Sequence, residues 1–193
     1  YSEHKISVGN VVSRPSNFAE IVSETNELKP VEWVDDESIL FRSENDGKAD
    51  LWSIRPDGSE RRQLTVDAEA DVRGFCVTPD QEYIFFTTWR NGNSNIWRVR
   101  FDGTETTQIT DGPADAFPQC SNDGHYVVFQ RGLLSKPEIW KTPVSGGEAE
   151  RVMDHRGKWP ALLSGIGGMS YFRMVDDRWA IELKRPNDVS ATI

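Results

Sequence analysis

The chain has 193 residues and a formal charge of −9, with 22 Lys and Arg set against 31 Asp and Glu. That balance disfavours sequence-independent binding of nucleic acid and docking onto anionic lipid, which both need a basic footprint, so cationic or neutral partners fit better. With 37% hydrophobic and 27% charged residues, and no apolar run long enough for a membrane helix, the composition is that of a globular chain with enough material for a real core.

Tyr1 stands where an initiator Met would, so the sequence reads as a piece excised from something longer. Residues 1–28 are irregular: Val11 to Pro15 and Ala19 to Ser23 resemble two strands, either the end of an earlier blade or a strand that closes a ring onto the last one. From residue 29 onward a repeat sets in. Three tryptophans head equivalent segments, Leu51-Trp52-Ser53, Ile96-Trp97-Arg98 and Ile139-Trp140-Lys141, spaced by 45 and 43 residues. That spacing matches the ~40–50 residue period of a four-stranded propeller blade.

Each tryptophan is followed by a tight-turn pair, Asp57-Gly58, Asp102-Gly103 or Gly146-Gly147, and then by a short polar strand such as Gln63-Leu64-Thr65 or Gln108-Ile109-Thr110. Each is preceded by a run rich in β-branched and aromatic residues: Ile39-Leu40-Phe41, Ile84-Phe85-Phe86 and Val127-Val128-Phe129. Turn chemistry at regular intervals between such runs predicts an all-β fold of four-stranded antiparallel blades, with almost no helix. The expected blades span residues 29–65, 72–110 and 116–153, with a divergent last one at 158–193. For the second, the strands fall at 73–78, 82–88, 95–101 and 106–110.

Trp52, Trp97 and Trp140 recur at one position and are expected to pack between blades rather than to stack on sugar. Gly58, Gly103 and Gly147 are expected to supply the positive φ of two-residue hairpin turns, and Asp80 and Asp123 to bond their own backbone. Cys76 and Cys120, in GFCVTP and FPQCSN, read as buried small hydrophobes rather than as a disulfide.

The segment Thr78-Pro79-Asp80-Gln81-Glu82-Tyr83-Ile84-Phe85-Phe86, followed by Asn95-Ile96-Trp97, Asp102-Gly103 and Gln108-Ile109-Thr110, resembles the TolB-type repeat, also called the WD40-like or PD40 repeat. The resemblance covers residues 29–153 well and the rest more loosely. It implies a propeller that usually has six blades, of which this chain would supply about four. A part of a six- or seven-bladed ring is the favoured reading, ahead of a small four-bladed ring or a ring completed by another chain. Members of the family serve as the periplasmic TolB component, or as sensor-like modules of bacterial kinases and regulators. Similar propellers gate prolyl-oligopeptidase-type peptidases. The resemblance leans toward an extracytoplasmic location.

Catalytic patterns are not met. Ser164 follows two leucines and fails the G-x-S-x-G elbow. His4, His125 and His155 lie in different repeats without metal-ligand spacing, and Gly165 to Gly168 lack the helix that a phosphate loop requires. Glu44 to Asp50 has calcium-loop composition without the ligand spacing, and neither a metal nor another cofactor is expected.

Recognition is expected instead on the face where the loops between the second and third strands, and between successive blades, open together. Trp89 and Trp159 are the expected apolar anchors there, Arg90 and Arg131 the polar clamps, and Asp71 and Asp115 the partners for cationic groups. The leading expectation is a non-enzymatic module that binds a protein, peptide or small polar ligand. The alternative is the gating propeller of a serine peptidase whose catalytic domain is not in this chain. A third reading, a polysaccharide lyase, would need a metal or basic cluster at the channel mouth.

Overall fold

In the computed structural model, residues 4–9, 18–24, 28–35, 37–45, 48–66, 74–90, 92–132, 136–163, 168–176 and 178–185 are described. They form strands only: β1 (His4–Gly9), β2 (Phe18–Glu24), β3 (Leu28–Trp33), β4 (Ile39–Asn45), β5 (Lys48–Ile54), β6 (Arg62–Gln63), β7 (Phe75–Val77), β8 (Tyr83–Arg90) and β9 (Asn93–Arg100). There follow β10 (Thr107–Gln108), β11 (Asp115–Cys120), β12 (Tyr126–Arg131), β13 (Glu138–Pro143), β14 (Glu150–Arg151), β15 (Gly157–Leu162), β16 (Met169–Val175) and β17 (Arg178–Lys184). β3–β6, β7–β10 and β11–β14 are three four-stranded antiparallel meanders, here blades 1 to 3, and β15–β17 make a three-stranded blade 4. Four antiparallel sheets thus follow one another in chain order.

At the N-terminus β1 and β2 pair with each other as a separate hairpin, beside β3. Residues 19–23 fall within β2 as expected, whereas β1 was not foreseen, and the expected strand at 11–15 lies outside the described residues. So do residues 189–193 of the expected last blade, and Asp71.

Strand alternation gives every blade two faces, and the core lies where they meet. Leu40 and Leu51 of blade 1 pack on Phe75, Ile84, Phe86 and Val99 of blade 2. Phe85 and Ile96 of blade 2 meet Val127 and Phe129 of blade 3. Val128 and Ile139 of blade 3 meet Met169 and Tyr171 of blade 4. The outward face of blade 4 departs from this: Trp179, Ile181 and Leu183 of β17 are exposed, Ile181 to 75%.

The tryptophans are half-buried rather than enclosed, and the residues before them, Leu51, Ile96 and Ile139, are the buried ones. Trp97 and Trp140 do pack against inter-blade clusters. Each ring also carries an arginine: Arg61 lies 4.5 Å over Trp52, Arg90 4.5 Å over Trp97 and Arg131 4.3 Å over Trp140. The third to fourth strand turns are also longer than expected. Arg55 and Ser59 close a loop of three residues, in which Gly58 donates to the Arg55 carbonyl and adopts φ +84°. Arg100 to Thr104 repeats this with Gly103 at φ +86°. A type I turn followed by a left-handed glycine needs one residue more than a two-residue hairpin. In blade 3 Gly146 takes the place of Gly58 and Gly103, donating to the Pro143 carbonyl at φ +86°, and Gly147 follows with a positive φ of +132°.

Two devices join neighbouring blades. The first is a bulge in the innermost strand. The register slips by one residue in β3, β11 and β15, leaving Phe117 at φ +58° and Trp159 at φ +51°. The amide of Phe117 donates to Thr87 Oγ1 and that of Trp159 to Gln130 Oε1, each from the second strand of the preceding blade. Thr87 and Gln130 are buried, so removing the acceptor strands a backbone donor away from water. We expect Thr87→Val and Gln130→Leu each to cost ~1–3 kcal/mol in urea unfolding, whereas losses within a few tenths of neutral would remove the bulge from the account.

The second device is covalent. Cys76 of β7 and Cys120 of β11 form a disulfide across 5.6 Å between Cα atoms, joining blades 2 and 3. This corrects the expectation of two separate thiols. Nothing in the local pattern pairs them, because they are 44 residues apart and meet only once the blades stack.

Candidate functional site

The sequence of each blade fixes its ends before it can offer a site. Asp80 accepts from the Thr78 hydroxyl and the Glu82 amide, while the Tyr83 amide donates to Thr78 Oγ1. Ser121, Asp123, His125 and Tyr126 repeat the same four-residue lock. Asp57 and Asp102 do likewise with Ser59 and Thr104 in the third to fourth strand turns. The hydroxyls of Thr78, Ser121, Ser59 and Thr104 lead the causes that hold these four carboxyls below the usual aspartate range, with backbone amides next.

A folded-state pKa below the unfolded one gives stability that is fully present above the unfolded value and is lost as pH falls through the folded one. Stability should therefore fall on acidification below pH ~4, and Thr78→Val should move the Asp80 titration upward. Carbon-detected NMR of the Asp80 carboxyl tests this, and an unmoved titration would show that the hydroxyl does not set it.

At the opposite, loop-bearing end, blades 2 and 3 converge on Arg131. Its guanidinium forms a two-point ion pair with Asp115, Nε to Oδ1 at 2.7 Å and Nη2 to Oδ2 at 3.0 Å. Asp115 is fully buried, whereas the Arg131 side chain keeps 17% exposure. The guanidinium is sandwiched between Trp140 and the backbone of Gly112, where a Cβ would lie 2.3 Å from it. A side chain at 112 would displace the guanidinium from this position. Asn93 and Asn95 both donate to the Gly112 carbonyl at 2.9 Å, and Asn93 accepts from the Ala114 amide at 3.0 Å. The loop between blades 2 and 3 is thus tied to both.

Beside this anchor lies a polar crevice of about 330 Å³, walled by Thr110, Asp111, Arg131 and Glu148. Trp89 shares the face of β8 that carries Thr87, which reaches β11, and its ring is 41% exposed. Trp159, 48% exposed, stands on its bulge edge-on to Phe172 at 5.5 Å. Lys158 lies 4.1 Å over Trp159 and 3.8 Å over Trp179.

Of the six residues singled out for binding, the structure brings Asp115 and Arg131 into direct contact and commits them to each other. Arg90 is stacked on Trp97, and Trp89 and Trp159 are exposed. Gly112, Asn93 and Asn95 were not singled out. Their only sequence signal is an Asn-x-Asn placed before the third-strand tryptophan, which reads as ordinary turn composition.

A further polar cluster sits between blades 3 and 4. Glu182 accepts from Tyr171 and from Arg173 at 2.8 Å and lies 3.3 Å from His155 Nε2. Burial raises the Glu182 carboxyl, but the Tyr171 hydroxyl and Arg173 outweigh it and leave it below the ordinary glutamate range. Burial, followed by the bond to Glu182, pushes the Tyr171 phenol upward. Among the described residues, no group of three or more His, Cys, Asp or Glu is placed to hold a metal ion.

Consecutive antiparallel meanders, packed face to face with their innermost strands bulged side by side, define a β-propeller. The sequence profile of the dipeptidyl peptidase IV (DPP IV) N-terminal region matches residues 11–135, and the chain belongs to that family. No curated protein sequence matches it. Among solved structures it is similar to a putative TolB from Agrobacterium tumefaciens, with TM-score 0.65 and 14% identity over 88% of this chain and 81% of that one. It is also similar to TolB from Acinetobacter baumannii, with TM-score 0.63 and 19% identity over 88% and 46% of the two chains. An oligogalacturonate lyase in complex with manganese gives TM-score 0.70 and 19% identity over 88% and 51%. The chain spans about half the length of the last two, and at these identities the likeness is one of fold.

Proposed function

We propose that this chain is a non-enzymatic, TolB-like propeller module that binds a peptide segment or small polar ligand on the loop-bearing end of blades 2 to 4. The observation that carries the reading is the contrast at that end. The charged groups, Arg131 and Asp115, are locked into the scaffold, while Trp89 and Trp159 stay open beside it. Rigidly mounted, half-exposed tryptophans suit recognition, because they offer large contact area at small entropic cost. The disulfide supports an oxidising compartment for this module.

The test is fluorescence-polarisation screening of a labelled tetrapeptide library against the chain, followed by Trp89→Ala and Trp159→Ala. We expect each variant to weaken the best binders at least tenfold with the melting temperature preserved. Unchanged affinity in both would remove this face from recognition.

Membership of the dipeptidyl peptidase IV N-terminal family favours a second reading, in which the propeller screens substrates for a peptidase domain carried elsewhere. Its test is the reading frame beyond residue 193: a downstream α/β-hydrolase domain with a G-x-S-x-G elbow supports it, and a kinase, regulator or envelope sequence rejects it.

A further inference from the structure

The other end of the molecule, where the short turns lie, holds a second opening, independent of the reading above. It lies between blades 3 and 4 and encloses about 450 Å³, within the ~300–1,000 Å³ usual for small-molecule sites. Its floor is apolar, made by Val128, Leu162 and Met169. Its rim is basic, with Lys141, Arg151 and Lys184, and Arg185 adds a fourth cation. Glu150 is the one carboxylate among its described lining residues. In a chain of net charge −9, four cations gathered around one opening run against the overall balance.

Lys141, Arg151 and Arg185 each have a local partner. Lys141 pairs with Glu150 at 2.7 Å, and Arg151 with Glu138 at 2.9 Å. Lys184 differs: its ammonium reaches from blade 4 to the Val152 carbonyl at 3.2 Å and meets no carboxylate among the described residues. One carbonyl uses one of its three donors. A Cβ at Gly168 would come within 2.9 Å of the Lys184 carbonyl, so the start of β16 lies directly against the end of β17 at the edge of the opening.

We propose that this crevice binds a small organic carboxylate with an apolar body, the charge held at the Lys184 edge and the body lying over Val128, Leu162 and Met169. A purely inorganic anion would leave the apolar floor unused, and a neutral hydrocarbon would leave the rim unused. The proposal therefore requires both halves of the ligand.

The test uses hexanoate, hexan-1-ol and acetate as probes, titrated into the chain with methyl resonances of Leu162 and Met169 as reporters. We expect hexanoate to bind in the ~1 mM range and the other two at least tenfold more weakly. Lys184→Met should weaken hexanoate at least fivefold and leave hexan-1-ol unchanged. Leu162→Trp, which fills the floor, should abolish both, and Lys158→Met at the far end should change neither. Melting curves of the variants separate lost binding from lost fold, and Leu162→Trp stands as the second variant if Lys184→Met is unstable. Hexan-1-ol binding as tightly as hexanoate, hexanoate affinity unchanged in the folded variants, or no methyl shift at ~10 mM hexanoate would each overturn the proposal.

Discussion

Reduction of the Cys76–Cys120 bond, or its removal by Cys76→Ser with Cys120→Ser, is expected to lower the melting temperature by ~8–16 °C. The bond closes a loop of 44 residues between blades 2 and 3. Chain-entropy arguments give about 4 kcal/mol for a loop of that length, and each kcal/mol moves the midpoint by ~2–4 °C in a chain of this size. The expected loss is concentrated at one interface. Hydrogen exchange in reduced protein should rise first in β7 and β11, while β4 and β5 of blade 1 keep their protection. Paired melts with and without a phosphine reductant measure the effect. Coincident melts would mean that apolar packing of Phe85 and Ile96 on Val127 and Phe129 already holds the blades without the bond.

The second large effect is expected at the Arg131–Asp115 pair. Arg131→Ala leaves the Asp115 carboxylate buried with its charge uncompensated, and deleting one partner of such a pair costs ~3–5 kcal/mol. The change also strips the guanidinium from Trp140 and opens the space over Gly112. Removing both charges together, as Arg131→Met with Asp115→Leu, should cost clearly less than the sum of the single changes, because no lone charge remains buried. A double-mutant cycle in urea reads this coupling directly. Additive losses would contradict the ion pair as a unit of the scaffold, and would reopen Arg131 as a group available to ligand.

Much of the fold was legible because a propeller writes its architecture as repetition. The Trp52, Trp97 and Trp140 register, the runs ending in Phe41, Phe86 and Phe129, and the glycine turns mark strands that later pair in sequence order, since each blade is a local meander. What the sequence did not reveal is mostly what passes between blades. Cys76 and Cys120 sit in unlike local contexts and meet only through stacking. The acceptors for the bulged amides, Thr87 and Gln130, differ in chemistry and share only a register position, so no motif announces them.

The candidate site shows the same boundary. Trp89 and Trp159 were legible as large apolar residues in loop-rich stretches, and they are exposed. Arg131 and Asp115 have the composition of a ligand clamp, yet they satisfy each other, and only their placement on neighbouring strands of blade 3 determines that. In blade 3 the pair Gly146-Gly147 offers two candidates for the turn glycine; both adopt positive φ, and hydrogen bonding to Pro143 aligns the first with Gly58 and Gly103.

The central claim, that this is a recognition module working through its loop-bearing end, is tested most directly by hydrogen exchange on the chain with and without its best-binding tetrapeptide. The account predicts slowed exchange confined to the ends of β8 and β12, the segment 111–115 and the bulge around Trp159. Protection at the turn-bearing end around Met169 and Lys184, or at no segment under saturating peptide, would contradict it.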